Sequence, residues 1–357
     1  MYSLTLLSLL LVSVLTAEAL PTTTTTADGL NYTFPAGAHW PDPLPITVNN
    51  YSYIHDPSMI KRQSDGKYFL FSSGNSVGIL STDSLSGPYA LVGSLLSNSV
   101  APPGEAWAPD AHYENNQFYC YYAISTSGSQ NSTIGVATSD SMDPGTWTNQ
   151  GKVLSSNTND TYNAIDPNLF FDGNNTPYLS FGSSWDDIFQ IQLTSNLSAT
   201  AGSPKQVAHN ATKNPEIEEG SFVWKNGNFY YLFFSAGDCC TFSASNLPAP
   251  GGEYHVVVGR SESAHGPFID QAGVPLLQTG GTTILGSHGR VYAPGGESIF
   301  TDTYYNSSTS SWQERDIFVY HYVPADGPHP YNTSYADLGL NGIDWSTGWP
   351  VLTELQV

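Results

Sequence analysis

Short runs of aromatic and β-branched residues recur along the chain, separated by clusters of Gly, Asn, Asp, Ser and Pro. Apolar runs of this length between turn residues are typical of β-strands. We find no long stretch with the 3.6-residue periodicity of an amphipathic helix. The pattern therefore predicts an all-β protein.

The strand pattern repeats five times. Each unit opens with an acidic residue before an apolar run, and a turn and an aromatic-rich run follow. Successive opening acids are 54, 56, 53 and 78 residues apart. Three of the turns contain an Asp-Gly or Asn-Gly pair, which is a β-hairpin signal. The opening acids are Asp56, Asp110, Asp166, Glu219 and Glu297.

The length of a unit leaves room for four strands, and four-stranded units repeated around an axis form a β-propeller. We therefore predict a five-bladed β-propeller over residues 41–357. The first strand of each blade lines the central channel, so the five acids are expected to meet at one mouth of it. Crowded, buried carboxylates push one another's pKa values apart, which can supply the acid and the base of glycosidic cleavage. Acids repeated in blades can equally be structural.

The N-terminal segment predicts export. Residues 1–19 form an apolar run that ends in "AEA", a small-x-small cleavage pattern of a secretory signal peptide. A membrane anchor is the alternative, but the run is short for a span. Residues 20–40 follow as a short leader. Nine glycosylation sequons fit a secreted, extracellular glycoprotein, and they begin at Asn31, Asn50, Asn131, Asn159, Asn174, Asn196, Asn210, Asn306 and Asn332.

Charge and cysteine content narrow the partners and the compartment. A net charge of -21 with only ten Lys and Arg argues against nucleic acid and against an anionic membrane surface. Many aromatic and few charged residues suit a neutral sugar polymer, and we expect a monomer. The three cysteines do not form a disulfide framework. A bond between Cys239 and Cys240, two buried thiols, or a bridge from one of them to Cys120 all remain open.

Six motifs together resemble family 43 of the glycoside hydrolases, in its arabinanase branch. They are "HDPS", "WAPDAHY", "NAIDPNLFFD", "FGSSW", "EEGSF" and "YYLFFSAGDCC", in this order over essentially all of the chain after the leader. The resemblance implies a five-bladed propeller and an inverting hydrolase that cuts α-1,5-linked L-arabinan internally. Two alternatives remain open: an exo-acting α-L-arabinofuranosidase or β-xylosidase on the same fold, and a non-catalytic carbohydrate-binding propeller.

The same resemblance implies residue roles. Asp56 matches the general base, Glu219 the general acid, and Asp166 the third carboxylate, which tunes and orients the acid. Glu219 is preferred over Glu218 because the family's glutamate precedes a small residue, as in "EGSF". Glu216 and Glu218 are expected to be solvated loop charges.

Further positions match substrate contacts of the family, although core packing is the alternative for the two tryptophans among them. Asp110 and Glu297 are expected to be structural or to bind water in the channel. The branch usually carries Gly-Pro-Gly-His in the fifth blade, with the histidine near a central cation, whereas this chain has Gly296 at that place in "YAPGGES". The chemistry requires no cofactor, and a central calcium is left open. The matched substrate positions are His55, Trp107, Gly128, Asn163, Ser183, Ser184 and Trp185.

Overall fold

The structure is a computed structural model that describes residues 40–74, 76–96, 105–210 and 217–357. It also gives the backbone of two short paired strands, β1 (Thr23–Thr25) and β2 (Asn31–Thr33). The predicted signal peptide lies outside the described residues, and so does the predicted leader, apart from these two strands and its last residue. The described part of the chain contains a single 3-10 helix, Leu276–Gln278. No helix of that part is long and apolar enough to span a bilayer.

The remaining strands form five sheets in chain order. Blade 1 contains β3 (Val48–Asn49), β4 (Ser58–Lys61), β5 (Tyr68–Ser72), β6 (Gly78–Thr82) and β7 (Tyr89–Ser94). Blade 2 contains β8 (Glu105–Glu114), β9 (Gln117–Ser125), β10 (Thr133–Ser139) and β11 (Thr148–Ser155). Blade 3 contains β12 (Asn168–Phe171), β13 (Pro177–Ser183), β14 (Asp187–Gln192) and β15 (Lys205–Ala208).

Blades 4 and 5 complete the ring. Blade 4 contains β16 (Glu218–Asn226), β17 (Phe229–Ala236), β18 (His255–Ser261) and β19 (Thr282–Leu285). Blade 5 contains β20 (Val291–Asn306), β21 (Ser311–Pro324), β22 (Asp337–Asp344) and β23 (Val351–Thr353). Consecutive strands of each blade pair antiparallel, and β3 adds to β7 in parallel. The predicted five-bladed β-propeller is confirmed.

Apolar side chains pack between adjacent blades rather than in one central core. The joint between blades 5 and 1, for example, buries Leu70, Leu80, Val319 and Leu340 almost completely. Strands that face a neighbouring blade on both sides, such as β5, are buried at every residue, which explains their unbroken apolar runs. Each fully buried aliphatic or aromatic side chain contributes roughly 1.5–3 kcal/mol to folding.

A buried ion cluster also holds the ring closed between its first and last blades. Asp302 on β20 is fully buried, and its carboxylate lies 2.8 Å from Lys61 Nζ and 3.0 Å from Arg315 Nη2. The hydroxyl of Tyr68 donates to the same carboxylate at 2.8 Å. Two positive charges and one hydroxyl therefore satisfy a carboxylate that would otherwise be costly to bury.

The blades repeat an unusual backbone feature just before the innermost strand begins its regular pairing. In each blade, one residue of this segment has a φ between +46° and +62°. The residue two positions later pairs with the second strand of the blade. These left-handed positions are Asp56, Ala108, Asp166, Gly220 and Gly296. They surround one end of the channel, which we call the N-terminal mouth.

The five opening acids do not occupy equivalent backbone positions, although four of them line this narrow channel. Only Asp56 and Asp166 occupy left-handed positions; Glu219 precedes one, Glu297 follows one, and Asp110 comes two residues after one. The recurring acidic residues located the blades. Their spacing left the alignment of one inner strand with the next uncertain by one or two residues.

Asp110 instead belongs to a row of polar residues that join neighbouring blades. Its carboxylate accepts the Leu169 N–H at 2.6 Å and lies 2.6 Å from His112 Nε2. At the equivalent positions, Ser58 accepts the N–H of Ala111 at 3.0 Å, and Asn168 accepts that of Val223 at 2.8 Å. Asp110 is thus structural.

Candidate active site

Two carboxylates reach the N-terminal mouth from left-handed positions. Asp56 precedes β4 with φ +46°, and Asp166 precedes β12 with φ +54°. A left-handed conformation costs a non-glycine residue on the order of 1–2 kcal/mol. The neighbouring blades impose that cost, and both carboxylates line the narrow channel beside Gly220 and Gly296.

Asp56 is held as an anion. The hydroxyl of Ser73 donates to its Oδ2 at 2.6 Å, and His55 Nδ1 lies 3.0 Å from its Oδ1. Burial by itself would raise the pKa of Asp56, but His55 and Ser73 outweigh burial and hold the pKa below its usual value. The pKa of His55 is in turn raised, because the effect of Asp56 exceeds that of burial. An ionised carboxylate at the mouth can accept a proton from water.

Glu219 has the opposite protonation tendency. It lies in β16, and its two oxygens accept hydrogen bonds from Ser183 Oγ at 2.6 Å and from the Tyr254 hydroxyl at 3.1 Å. Burial raises its pKa, the charge of Asp56 raises it further, and the two hydroxyls only partly oppose these effects. Glu219 therefore keeps its proton to higher pH than an exposed glutamate does.

Asp166 and Glu219 act on each other. Asp166 Oδ2 accepts the N–H of Gly220, the residue after Glu219, at 3.0 Å. Burial raises the pKa of Asp166 well above its usual value, and the charges of Glu219 and Asp56 add to this effect. Two half-buried carboxyls that repel each other do not both ionise readily, so the pair retains a proton that isolated carboxyls would have lost.

An imidazole from blade 5 covers Gly296. A Cβ at position 296 would lie 2.6 Å from Asp56 Oδ1 and 2.8 Å from His321 Nδ1, so glycine is needed there. The ring of His321 also stacks on the ring of His55 at 3.8 Å between centroids. The imidazole that the resemblance places at 296 is thus supplied from β21.

His321 forms a group with His55 and Asp56 whose ligand atoms all lie within 4.8 Å of one another. Burial and His55 lower the pKa of His321 well below the usual value, so its ring is neutral, which is the form that binds metal ions. Its Nδ1, however, accepts the Asp56 N–H at 3.2 Å, which places the ring proton on Nε2. Among the residues that the structure describes, Nε2 has no hydrogen-bond partner. With this hydrogen bond in place, the Nε2 N–H suits a water molecule.

His321 is one of three second-strand residues with the same task. Each accepts the N–H of the left-handed residue in the next blade. Ser73 accepts from Ala108 at 2.7 Å, Ser235 accepts from Gly296 at 3.0 Å, and His321 accepts from Asp56 at 3.2 Å.

Two of the predicted substrate positions contact the carboxylates: His55 contacts Asp56, and Ser183 contacts Glu219. Trp107 lines a cavity of about 560 Å³ together with Tyr53, whose ring stacks on His55. The Trp107 indole N–H donates to Glu105 at 3.1 Å.

The other four predicted positions make no hydrogen bond to these carboxylates within the described chain. Trp185 is 38% exposed, so it is not a core residue. Gly128 is exposed, Ser184 is partly exposed, and Asn163 is buried three residues before Asp166.

Two further acids, Glu218 and Glu297, are buried. Glu218 is buried in β16, so the expectation of a solvated loop charge is wrong; Glu216 lies outside the described residues. Glu297 is buried and accepts from Ser235 Oγ at 2.6 Å, and burial raises its pKa to about 8.

The motifs did not reveal several residues of the site. Ser73 and Ser235 end matching second strands, "FLFSS" and "YLFFS", so an alignment of second strands would have found them. His321 stands at the same place in its second strand, after "IFVY", although it is not a serine. Tyr254 comes from a loop with no such signal. The cysteines are also resolved: Cys239 and Cys240 are bonded to each other, and Cys120 is a buried thiol.

The chain is similar to known proteins over most of its length. The family model "Glycosyl hydrolases family 43" matches residues 47–350. The chain is 44% identical over 304 residues to the probable arabinan endo-1,5-alpha-L-arabinosidase A of Aspergillus clavatus, and 43% identical over 308 residues to the arabinan endo-1,5-alpha-L-arabinosidase A of Aspergillus aculeatus. Each alignment covers 84% of this chain and 90% of the relative.

Solved structures give a similar result at lower identity. The alpha-L-arabinanase of Cellvibrio cellulosa, complexed with arabinohexaose, superposes with a TM-score of 0.72 at 25% identity, covering 85% of this chain and 96% of that one. An exo-1,5-alpha-L-arabinanase from a bovine ruminal metagenomic library superposes with a TM-score of 0.70 at 28% identity, covering 90% and 100%.

Proposed function

Because the chain belongs to family 43 of the glycosyl hydrolases, as its motifs predicted, we propose that it hydrolyses α-1,5-L-arabinofuranosidic bonds inside arabinan, with inversion at the anomeric carbon. The observation that carries the proposal is the opposite protonation of two carboxyls at one mouth. The pKa of Asp56 is below its usual value and that of Glu219 is above it. A base and an acid that coexist at one pH are what single-displacement hydrolysis of a glycoside needs.

The proposed chemistry uses one water molecule. Asp56 takes a proton from the water as its oxygen attacks the anomeric carbon, and Glu219 gives its proton to the leaving sugar oxygen. Asp166 shares with Glu219 the proton that the pair retains, and it fixes the backbone of the acid through the Gly220 N–H. The hydroxyls of Ser183 and Tyr254 orient the Glu219 carboxyl and stabilise the carboxylate that forms when the proton leaves.

The preference for internal cleavage comes from the relatives. The relatives of about 44% identity carry names of endo-acting enzymes. Among the solved structures, an endo-arabinanase from Bacillus licheniformis and the exo-acting enzyme are equally distant, at 27% and 28% identity. Exo action on the same linkage is therefore the second candidate.

Products from linear arabinan separate the two candidates. We expect a ladder of oligosaccharides early in the reaction, together with proton NMR signals of the inverted anomer before mutarotation. Release of arabinose alone would favour the exo candidate. Initial formation of the retained anomer would refute the water-based mechanism. Inactivity on arabinan with turnover of xylan fragments would refute the substrate assignment.

A matched pair of neighbouring variants tests the acid. Glu219→Gln should lower kcat on arabinan by roughly 10²–10⁴, and it should lose less on an aryl arabinoside whose leaving group needs no proton. Glu218→Gln changes the adjacent carboxyl in the same strand and should cost less than tenfold. Equal losses in the two variants would contradict the role of Glu219, and a protein that binds arabinan without any turnover would be a carbohydrate-binding propeller.

We further propose that the protein is exported and acts outside the cell on the arabinan side chains of pectin. The apolar segment 1–19 with its "AEA" end and the nine sequons support export. N-terminal sequencing of the protein recovered from culture medium tests it, with Leu20 as the expected first residue.

A further inference from the structure

A long loop of blade 4 carries the Cys239–Cys240 disulfide to the N-terminal mouth. The loop connects β17 and β18, and β17 ends in register with the start of β16, where Ala236 pairs with Glu218 and Ser235 with Glu219. The residue after β17, Gly237, donates its N–H to Ile217 O at 2.9 Å. The disulfide therefore emerges beside the acid and not at the far end of the blade.

The first part of this loop is firmly anchored. Asp238 accepts the backbone N–H groups of Cys240 at 3.3 Å and of Thr241 at 3.2 Å, and its own carbonyl accepts the Tyr254 N–H at 3.0 Å. Cys239 is buried in an apolar cluster with Phe242 and Tyr254. One cysteine is thus fixed within the fold while its neighbour, Cys240, is exposed.

The exposed sulfur reaches across the mouth to blade 1. Cys240 Sγ lies 3.6 Å from His55 Nε2, although the two residues are 185 positions apart. The other nitrogen of the same ring faces Asp56 at 3.0 Å, and the ring stacks on Tyr53 at 5.4 Å between centroids. The disulfide, His55 and the proposed base therefore form one continuous surface.

We propose that the Cys239–Cys240 disulfide is a sugar-contacting wall of the substrate site beside Asp56. A disulfide between adjacent residues closes a small ring through their peptide bond and presents apolar sulfur without an N–H or O–H group. That surface suits the C–H face of an arabinofuranose ring, while the carboxylates bind its hydroxyls. The inference rests on the proposed function, because it assigns part of the site for the same substrate.

The disulfide also contacts His55 on the side of the ring away from Asp56. A disulfide sulfur carries no proton, so it can only accept from His55 Nε2, while Nδ1 contacts Asp56. Reduction would place an S–H beside Nε2 and let Cys240 rotate away from the sugar. Weaker substrate binding in the reduced protein is the expected consequence.

Protection by ligand tests the contact without relying on activity. The full-length Glu219→Gln protein is titrated with arabinohexaose by calorimetry, and the rate at which a phosphine reductant opens the disulfide is followed with and without the sugar. We expect at least tenfold slower reduction at saturation, with half-protection at the calorimetric Kd. Binding without protection overturns the inference and leaves the proposed function intact. Absence of any arabinohexaose binding instead refutes the proposed function, and the inference with it.

A double variant supplies the second test. Cys239→Ala/Cys240→Ala should raise KM for linear arabinan about tenfold with kcat changed less than threefold, and reductant should then have no further effect. Cys120→Ala, which removes the buried thiol, should remain as sensitive to reductant as the unmodified protein. An unchanged KM in a folded double variant overturns the inference. If the double variant does not fold, the unmodified protein is treated with reductant instead. The same rise in KM is then expected, and an unchanged KM overturns the inference.

Discussion

His321 Nδ1 accepts the backbone N–H of Asp56 at 3.2 Å, across the joint between the last blade and the first. The two residues are 265 positions apart in the chain. Because Asp56 has a left-handed backbone, its N–H cannot join a regular strand pair and depends on this acceptor. One hydrogen bond therefore both contributes to closure of the ring and places the proposed base.

Replacement of His321 should affect the base and the stability together. We expect His321→Ala to lower the free energy of unfolding by about 1–3 kcal/mol, the cost of an unpaired buried N–H, and to lower kcat tenfold or more because Asp56 is misplaced. Denaturant titration and steady-state kinetics measure the two effects.

The conservative variant distinguishes positioning from general damage. In His321→Asn, the side-chain oxygen can take the place of Nδ1, so part of kcat should return while KM stays within threefold of the unmodified value. His265→Ala, on the outer part of blades 3 and 4, is the control and should leave kcat unchanged. A kcat that is equally low in the Asn variant would contradict the positioning role.

Asp302 should show how much the ion cluster contributes to ring closure. Asp302→Ala leaves Lys61 and Arg315 without their shared partner, and breaking a buried pair in this way costs about 3–5 kcal/mol. Asp326→Ala breaks the exposed pair with Arg290 and should cost less than about 1 kcal/mol. Urea unfolding of both variants checks the contrast, and equal losses would mean that the burial of Asp302 is unimportant.

Much of the fold could be predicted because a propeller repeats its local pattern. The recurring acids and hairpin turns located all five blades, since each blade must bury both faces of its inner strands against its neighbours. The register of those acids could not be read from spacing. A shift of one or two residues separates Asp56 at the mouth from Asp110 in the joint between blades 2 and 3, and sequence letters carry no record of backbone φ.

The candidate site was predictable only where a motif carried it. Asp56, Asp166 and Glu219 stand in recognisable motifs, and the structure brings them together. Tyr254 reaches the site from a loop, so no local pattern identifies it, and His321 is found only when the second strands of the blades are aligned. The position of Gly296 predicted a missing imidazole, yet a ring from β21 fills that space, because contacts between strands are not visible in a linear sequence.

Asp166 should tune the acid because the two carboxyls titrate together. Asp166→Asn leaves Glu219 without an ionisable partner and keeps an oxygen that can accept the Gly220 N–H. The last proton of such a pair leaves at a raised pKa because the pair already carries a negative charge, so Glu219 alone should have a lower pKa. The basic limb of the kcat–pH profile should then move to lower pH, with kcat at neutral pH reduced.

Ser183→Ala is the control for that shift. The Ser183 hydroxyl stabilises the ionised form of Glu219, so its removal should move the basic limb to higher pH, the opposite direction. Shifts in the same direction for both variants would show that the basic limb does not report Glu219.

Glu297 should make the stability of the protein decrease as the pH rises. Burial raises the pKa of its carboxyl to about 8 from an ordinary 4.5, so the folded state binds a proton that the unfolded state has lost between these values. By linkage, stability falls with increasing pH across this window, by at most about 1.4 kcal/mol per unit for one proton. Glu297→Gln cannot ionise, so its unfolding free energy, measured in urea from pH 5 to pH 8, should fall less steeply than that of the unmodified protein. Ser235→Ala, which removes the hydroxyl that favours the ionised carboxylate, should extend the same slope further toward the upper end of this pH range. Parallel slopes for all three proteins would mean that Glu297 is already ionised at pH 5 in the folded state.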